Sequence, residues 1–462
     1  MELNGKRVLV VGLGRSGVAS ALFLQSRGAR VTVSDAKSED QLREQIPTLL
    51  DAGIAVETGA HGERTFRNQD LIVVSPGVPV DAEPLVQARA LGQPVIGEIE
   101  LASQFLSGPI VAITGSNGKT TTTTLVGDII AASGFKTLVG GNIGTPAISL
   151  AEQATPETTI VLEVSSFQLE TIRTFRPKVA VVLNVTPDHL DRHGTFAAYV
   201  NAKARIFENQ QADDFAVLNA DDPTCVELAN RTRAQVFWFS REREMESGAF
   251  VRDGHIIVRR NRSVQTILSV SEIPLKGSHN LENILAAVCA AALMGCAAEK
   301  IRAAIVNFKA VEHRLEYVAT IGGVEYYNDS KATNVDATMK ALQSFPANIH
   351  LILGGKDKGS DYTVLNNLLR ERVKSVYTIG AAAEKIQSHI KGTTQIVSSG
   401  TIESAVKQAS AAGHPGDVVL LAPACASFDQ FQNYEHRGRV FKELVGQLAA
   451  RNSSTLANEP QK

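Results

Sequence analysis

The chain has 462 residues, 44% hydrophobic and 20% charged, which is ordinary globular composition, and at about 150 residues per domain its length suggests roughly three domains. A net charge of −2 excludes a strong basic field aimed at nucleic acid or at an anionic membrane surface. Four scattered cysteines (Cys225, Cys289, Cys296 and Cys425) form no C-x-x-C pair. They make neither a disulfide framework nor a zinc site, and they fit a reducing cytosol.

Residues 1–7 lead into a short apolar run, 8–11, that stops at Gly12. A secretory signal would have a longer apolar core followed by small residues, and no stretch approaches the ~20 apolar residues that cross a bilayer. The reading is a cytoplasmic protein with no membrane partner. From here short apolar runs alternate with amphipathic stretches, the pattern of α/β units with parallel sheets. In the first block strands are predicted at 7–12, 30–34 and 71–74. Val18, Ala21, Leu22 and Gln25 mark a helix between the first two, with Gly28 as its stop, and Pro94-Val95-Ile96-Gly97 closes the block.

The second block opens with a strand at 110–113, a glycine loop and a helix through Ile130. Strands follow at 159–163, 179–184, 216–219 and 236–239, then a hairpin over 248–260 turning on Asp253-Gly254. An Ala-rich helix spans 280–294. The third block begins near Val311, with strands at 324–328, 349–353, 376–379, 395–397 and 418–421 and helices between them. The expected domains are therefore 1–97, 98–310 and 311–450, with a polar, frayed tail over 451–462.

Two glycine loops carry chemistry. Gly12-Leu13-Gly14-Arg15-Ser16-Gly17 matches G-x-G-x-x-G between a strand and a helix, with Asp35 ending the next strand roughly 20 residues on. The physics promises a nucleotide phosphate at a helix N-terminus; it does not choose NAD, and a tight βα turn that binds nothing would look alike. Thr114-Gly115-Ser116-Asn117-Gly118-Lys119-Thr120 is the stronger signal. Its glycines let N–H groups curl around phosphates, Lys119 adds a point charge, and the Thr120 hydroxyl can reach Mg²⁺. Ile113 stands where a strict Walker motif has its first glycine. A hard cation needs oxygen ligands, and Glu163 and the run Asp188-His189-Leu190-Asp191 both end strands of this block, where side chains emerge beside the loop.

With these residues in view the chain resembles the Mur ligase family, in its D-glutamate-adding branch. Loop 114–121 looks like the family's ATP loop. Gly141-Asn142-Ile143-Gly144, Glu163-Val164-Ser165-Ser166-Phe167-Gln168-Leu169-Glu170 and segment 184–192 match its successive central motifs. So do His279-Asn280, His313-Arg314 and Asn328-Asp329-Ser330-Lys331-Ala332-Thr333-Asn334. Pro423-Ala424-Cys425-Ala426-Ser427-Phe428-Asp429-Gln430-Phe431 is similar to the D-glutamate branch in particular.

The resemblance implies three α/β domains: a Rossmann-like UDP-binding domain, a central P-loop ATPase-type mononucleotide-binding domain and a C-terminal Rossmann-like domain. It implies a monomer that takes UDP-N-acetylmuramoyl-L-alanine and D-glutamate in cytoplasmic peptidoglycan precursor synthesis, with ATP and two Mg²⁺ ions. ATP would convert the substrate carboxylate to an acyl phosphate, which the amine of D-glutamate attacks. Phosphorylation supplies the leaving group that a carboxylate lacks, and the transfer needs positioning and charge neutralisation.

Carried over residue by residue, the resemblance puts Gly115, Ser116, Asn117, Gly118, Lys119, Thr120 and Thr121 on the ATP phosphates. Thr120 and Glu163 take one Mg²⁺, and His189 the second. Lys203 aligns with a family lysine carbamylated by CO₂; from composition alone it would be a plain surface lysine on a helix over 199–207. Asn280 and Asn283 resemble adenine-side and ribose-side contacts, and Arg314 and Asp329 the third domain's reach to ATP, or else an ion pair. The UDP-substrate candidates are Gly14, Arg15, Ser16, Asp35, Lys37, Gly77, Asn142 and Ser165. Thr333, Lys358, Ser427, Phe428 and Tyr434 resemble the D-glutamate pocket, with Lys356 close enough to compete with Lys358.

Rival readings remain at this point. An NAD-dependent oxidoreductase explains the first loop and leaves the second unexplained. A non-catalytic nucleotide sensor would bind ATP without substrate-dependent phosphate release. Other branches of the family, and folylpolyglutamate synthetase, are the nearest confusions, although no Asp-Asn-Pro-Arg string of the diaminopimelate-adding type is present.

Overall fold

The computed structural model describes residues 1–275, 277–309 and 312–457; the boundary expected near Val311 lies outside them, as do residues 458–462 of the expected tail. Among the described residues there are three sheets. The first contains β1 (Arg7–Val11), β2 (Arg30–Asp35), β3 (Ala55–Thr58), β4 (Leu71–Val74) and β5 (Val95–Gly97), all parallel, in the order β3-β2-β1-β4-β5. Strand order reverses at β1, so a crevice opens at the C-terminal ends of β1 and β4, the position where such sheets take ligands.

The second sheet contains β6 (Ile110–Thr114), β7 (Thr137–Gly141), β8 (Thr159–Glu163), β9 (Val179–Val182), β10 (Phe215–Asn219), β11 (Gln235–Ser240), β12 (Gly248–Arg252), β13 (His255–Arg260) and β14 (Ser263–Ser269). Its order is β14-β13-β12-β11-β10-β9-β6-β8-β7, with β13 antiparallel to both its neighbours. The expected hairpin is present: Arg252 pairs with His255 across Asp253-Gly254. The chain leaves β6 in one direction and reaches β9 on the other side, which places the reversal between β6 and β9.

The third sheet contains β15 (Glu316–Ile321), β16 (Val324–Asn328), β17 (Ile349–Gly354), β18 (Val373–Ile379), β19 (Gln395–Gly400) and β20 (Val418–Leu421), in the order β15-β16-β20-β17-β18-β19. Only β15 is antiparallel to its neighbour. The final helix, Tyr434–Ala457, runs into the segment read as tail.

The expected strands are all found, with shifts at their ends; the apolar run after Val179 leaves the sheet at Val182, so Asn184 sits in a loop. Four strands escape the sequence reading: β3, β7, β14 and β15. Every one is a sheet edge, and each is largely half-buried or exposed, so none carries the continuous apolar run that marks a strand covered on both faces.

By its contacts the chain divides into two compact units. One comprises Met1–Pro187, Arg192–Glu272 and Glu282–Asn307; the other comprises Asp188–Asp191, Ile273–Leu281 and the chain from Phe308 on. Within the first unit the two sheets share a continuous core, in which Val8, Val10 and Leu101 join Ile148, Leu162 and Val182. Two buried carboxylates lock the junction. Glu100 accepts hydrogen bonds from the backbone N–H groups of Arg173, Thr174 and Phe175 at 2.8, 3.0 and 2.9 Å, and Glu98 accepts from Ile148 N–H at 2.8 Å. No helix among the described residues is long and apolar enough to cross a membrane.

Candidate active site

The phosphate loop leaves β6 at Thr114 and enters the helix Lys119–Ala132. Gly118 caps that helix with φ of 87°, a conformation that costs an ordinary residue about 1–2 kcal/mol. A Cβ there would also lie 2.0 Å from Asn283 Oδ1, so Asn283, buried on the helix Ser278–Leu293, packs directly on the loop.

Asn184, which sequence reasoning passed over as a site residue, clamps the same loop. Its Oδ1 accepts from Asn117 N–H at 2.9 Å, its Nδ2 donates to Asn117 O at 3.1 Å, and its own carbonyl accepts from Ser116 N–H at 2.9 Å. An asparagine just past a buried strand was the available signal. The Lys119 Nζ donates to the carbonyls of Gly115 and Ser116 at 2.8 and 2.9 Å, which keeps the ammonium over the loop mouth.

Thr120 Oγ1 donates to Glu163 Oε2 at 2.7 Å, and Asn142 Nδ2 donates to Glu163 Oε1 at 2.9 Å. A hydroxyl and a buried carboxylate thus meet at the loop's helix start. Oxygen donors of this kind fit Mg²⁺, and the surrounding N–H groups and helix N-terminus fit phosphate.

Lys203 is the next surprise of position. It is 1% exposed on the helix Phe196–Ala204, so the plain surface lysine is excluded. Its Nζ donates to Gly115 O at 2.8 Å and lies 4.6 Å from the ring centroid of Tyr199. Tyr199, also missed, is one turn earlier, with its hydroxyl 3.1 Å from Ser116 Oγ. Burying a lysine is costly without a strong use, and this one sits at the root of the phosphate loop.

In the first sheet, the glycine loop follows β1 and the helix Arg15–Ser26 starts just after Gly14. Asp35 is buried and spends its carboxylate on the backbone: Oδ2 accepts from Leu13 N–H at 2.6 Å and Oδ1 from Lys37 N–H at 2.9 Å. It therefore shapes the loop. Gly14, Arg15, Lys37, Gly77 and Asn142 are exposed, and Ser16 and Ser165 half-buried. Ser165 caps the short helix Ser166–Leu169 in a reciprocal pair with Gln168.

In the second unit, the C-terminal ends of three adjacent strands, β16, β20 and β17, present the amino-acid candidates. Thr333 follows β16, Ser427 and Phe428 follow β20, and Lys358 follows β17. Ser427 is buried, and Phe428 is 69% exposed. Lys356 is tied to this group by its backbone, exchanging hydrogen bonds of 2.8 and 3.1 Å with Ala426. Lys358 is instead committed through its side chain, at 3.1 Å from Asp188 Oδ1, while Asn334 Nδ2 donates to Asp188 Oδ2 at 2.9 Å. Burial alone would raise the Asp188 pKa; Lys358, His189 and Asn334 together hold it at about 2. Asp188, weighed with Glu163 as a metal ligand, is thus engaged elsewhere. His189, at φ 53°, takes a backbone region few non-glycine residues adopt.

Asp329 is buried, accepts from Leu315 N–H at 3.2 Å, and has its pKa raised to about 6 by burial, with Arg314 opposing. Burial, then Arg314 and Lys340, lowers His279 to about 3, which makes it a neutral imidazole beside the buried Asn280. Arg437, fully buried and also missed, binds the Ser330 carbonyl at 2.8 Å and the Cys425 carbonyl at 3.2 Å. It thereby ties the ends of β16 and β20 behind Ser427. Tyr434 starts the last helix, and its carbonyl accepts from Ser330 Oγ at 2.8 Å.

An anion cradle that opens onto a hydroxyl–carboxylate pair is what a nucleoside triphosphate with a divalent cation requires. Fold and site together define a nucleotide-binding α/β protein of several sheets. Family models sharpen the class: residues 6–97 match the MurD-like Mur ligase N-terminal domain, 113–291 the Mur ligase middle domain, and 313–425 the Mur ligase glutamate ligase domain. The chain belongs to the Mur ligase family. It is 66% identical to a UDP-N-acetylmuramoylalanine–D-glutamate ligase of Koribacter versatilis, over 97% of this chain and 99% of that protein. A ligase of the same name from Acidobacterium capsulatum is 59% identical over 99% of each. Among solved structures, a pseudomurein peptide ligase type C from Methanothermus fervidus superposes with a TM-score of 0.61 at 20% identity, covering 96% of this chain and all of that one. That likeness shows the fold. Assignment of residues 6–97 to a Mur ligase domain removes the nicotinamide reading of the first glycine loop.

Proposed function

We propose that the chain is an ATP-dependent ligase that joins D-glutamate to UDP-N-acetylmuramoyl-L-alanine in peptidoglycan precursor synthesis. The observation that carries this reading is 66% identity over nearly the whole chain to a relative of that name. The geometry supports it: a phosphate cradle, an oxygen pair for Mg²⁺ and a buried lysine stand at one sheet edge.

In this reading Gly115–Thr121 hold the ATP phosphates and Lys119 stabilises charge that grows on them during transfer. Thr120 and Glu163 would hold one Mg²⁺, with His189 and Lys203, the latter as a carbamate, as the candidates for a second; the charge supplied there would offset that of the phosphates. Asn280, Asn283, Arg314 and Asp329 hold the nucleoside side of ATP. The UDP-linked substrate takes the first sheet's crevice, with Gly14, Arg15, Ser16, Asp35, Lys37 and Gly77 around it and Asn142 and Ser165 contributed from the second sheet. Asp35 acts there by fixing the loop. Thr333, Ser427, Phe428, Tyr434 and a lysine bind D-glutamate. The Asp188 pairing of Lys358 leaves Lys356, backbone-tied beside Ser427, as a second choice for that lysine. Domains at 1–97, 98–310 and 311–450 follow. We place the enzyme in the cytoplasm as a monomer; its four free, buried cysteines suit a reducing compartment.

Phosphate release from ATP with UDP-N-acetylmuramoyl-L-alanine and a panel of amino acids tests the assignment. D-glutamate is expected to support turnover and L-glutamate to fail. Equal turnover with L-alanine or diaminopimelate would move the chain to another branch of the family.

A further inference from the structure

Against the loop after β4 lies a cluster that the assigned roles do not use: Ser166, Phe167, Glu170, Arg192 and His193, all in the first compact unit. His193 Nε2 lies 3.0 Å from Ser166 Oγ and its Nδ1 3.3 Å from Glu170 Oε1. The order Ser–His–Glu is that of a nucleophilic triad. Ser166 is 3% exposed, however, so no acyl carbon can approach it, and the imidazole stacks on Phe167 at 5.2 Å. This is bracing, not a nucleophile.

What the brace holds is seen at its other end. Glu170 Oε2 stands 3.7 Å from Arg192, whose guanidinium also lies 4.7 Å from the Phe167 centroid. From there Arg192 donates to the carbonyl of Val78 at 2.8 Å and to that of Gly77 at 3.4 Å. Both carbonyls belong to the loop after β4 in the first sheet. Val78 in turn packs on Gly12, where a Cβ would meet its Cγ2 at 2.7 Å. One guanidinium therefore joins three parts: the turn carrying Ser165 and Ser166, the loop carrying Gly77, and the glycine loop that starts at Gly12.

We propose that Arg192, anchored by Glu170, is a positioning residue that fixes the spacing between the two halves of the UDP-substrate site, one on the first sheet and one on the second. The inference rests on the function proposed above. Gly77 is exposed, and a Cβ on it would meet nothing within 4 Å, so its own side-chain packing cannot set the loop. Charge-assisted bonds to the two carbonyls can, because carboxylate and aromatic ring hold the guanidinium from behind. Lysine would keep the charge but lose the planar fork.

The test uses the full chain with Arg192→Ala, Arg192→Lys and Glu170→Gln, measuring KM for each of the three substrates, kcat, the unfolding midpoint and the Kd of UDP by calorimetry. Arg192→Ala is expected to raise KM for the UDP-linked substrate and the UDP Kd by about tenfold, with KM for ATP and D-glutamate and kcat within about twofold. Arg192→Lys should recover part of the loss, and Glu170→Gln should shift the same constant in the same direction. An unchanged UDP-substrate KM in Arg192→Ala overturns the proposal. So does an equal rise in all three KM values with a lowered midpoint, which would make the cluster a structural brace alone. A wild-type chain that releases no phosphate with the UDP-linked substrate and D-glutamate would instead count against the activity. The UDP titration of wild type and Arg192→Ala then decides the brace by itself.

Discussion

At the scale of single residues, Lys203 decides most. A buried ammonium 2.8 Å from the Gly115 carbonyl would set a cation beside the place proposed for Mg²⁺, a like-charge contact that low local dielectric makes costly. Reaction of the neutral amine with CO₂ would form a carbamate and release one proton; its two oxygens, sharing one negative charge, would be the ligand type a hard cation prefers. Lys203→Ala is expected to be nearly inactive and partly rescued by acetate in phosphate-release assays. Rescue by methylamine and not by acetate would return Lys203 to a cationic role. Which residue to test was legible only through motif order. Its burial was not, because a helix carrying a single lysine reads as a solvated face until the packing around it is known.

At the scale of the element, the turn from β6 into the helix Lys119–Ala132 depends on Gly118 for two separable reasons, its left-handed backbone and its contact with Asn283. Gly134, at φ 90° and with nothing within 4 Å of the position a Cβ would take, separates them. Gly134→Ala is expected to cost only the backbone contribution of about 1–2 kcal/mol. Gly118→Ala should cost more and weaken ATP binding at least about tenfold, because Asn283 must move. Calorimetry of ATP binding and denaturant unfolding of both variants check this; equal effects would mean that the Asn283 packing does not define the loop. The alternating pattern located the elements themselves, but the edge strands β3, β7, β14 and β15 were silent in it. Their identity comes from hydrogen bonding to one neighbour, which residue composition does not encode.

At the scale of the whole molecule, the unit that contains the first two sheets carries a pH-dependent joint at Glu98. Burial raises its pKa from an ordinary 4.5 to about 7, with the Ile148 N–H, Gln168 and the Ala147 N–H opposing. Between those values the folded chain keeps a proton that the unfolded chain releases, so this group's contribution falls as pH rises, by about 1.4 kcal/mol per pH unit. It is fully present below about pH 4.5 and lost above about pH 7. Glu98→Gln, neutral at every pH, should therefore gain stability relative to wild type from pH 5 to pH 8, by a few kcal/mol. Denaturant midpoints across that range measure it; a constant difference would show that Glu98 is ionised throughout.

Whatever depends on neighbours along the chain can be read from the residues in order. The two glycine loops at strand–helix joins, the Thr120 hydroxyl one residue past Lys119, the Asp253-Gly254 hairpin and the order of family motifs are all local, and all were legible. Which groups meet emerges only once the chain has folded. Asn184 reaches back across 67 residues to Asn117, Arg192 across 114 to Val78, and Lys358 across 170 to Asp188. Asp35 turns out to bind its own loop, and Lys203 lies under Gly115. Such pairings depend on sheet order and on which side chains lose their water together, and a linear pattern holds neither until the chain has folded.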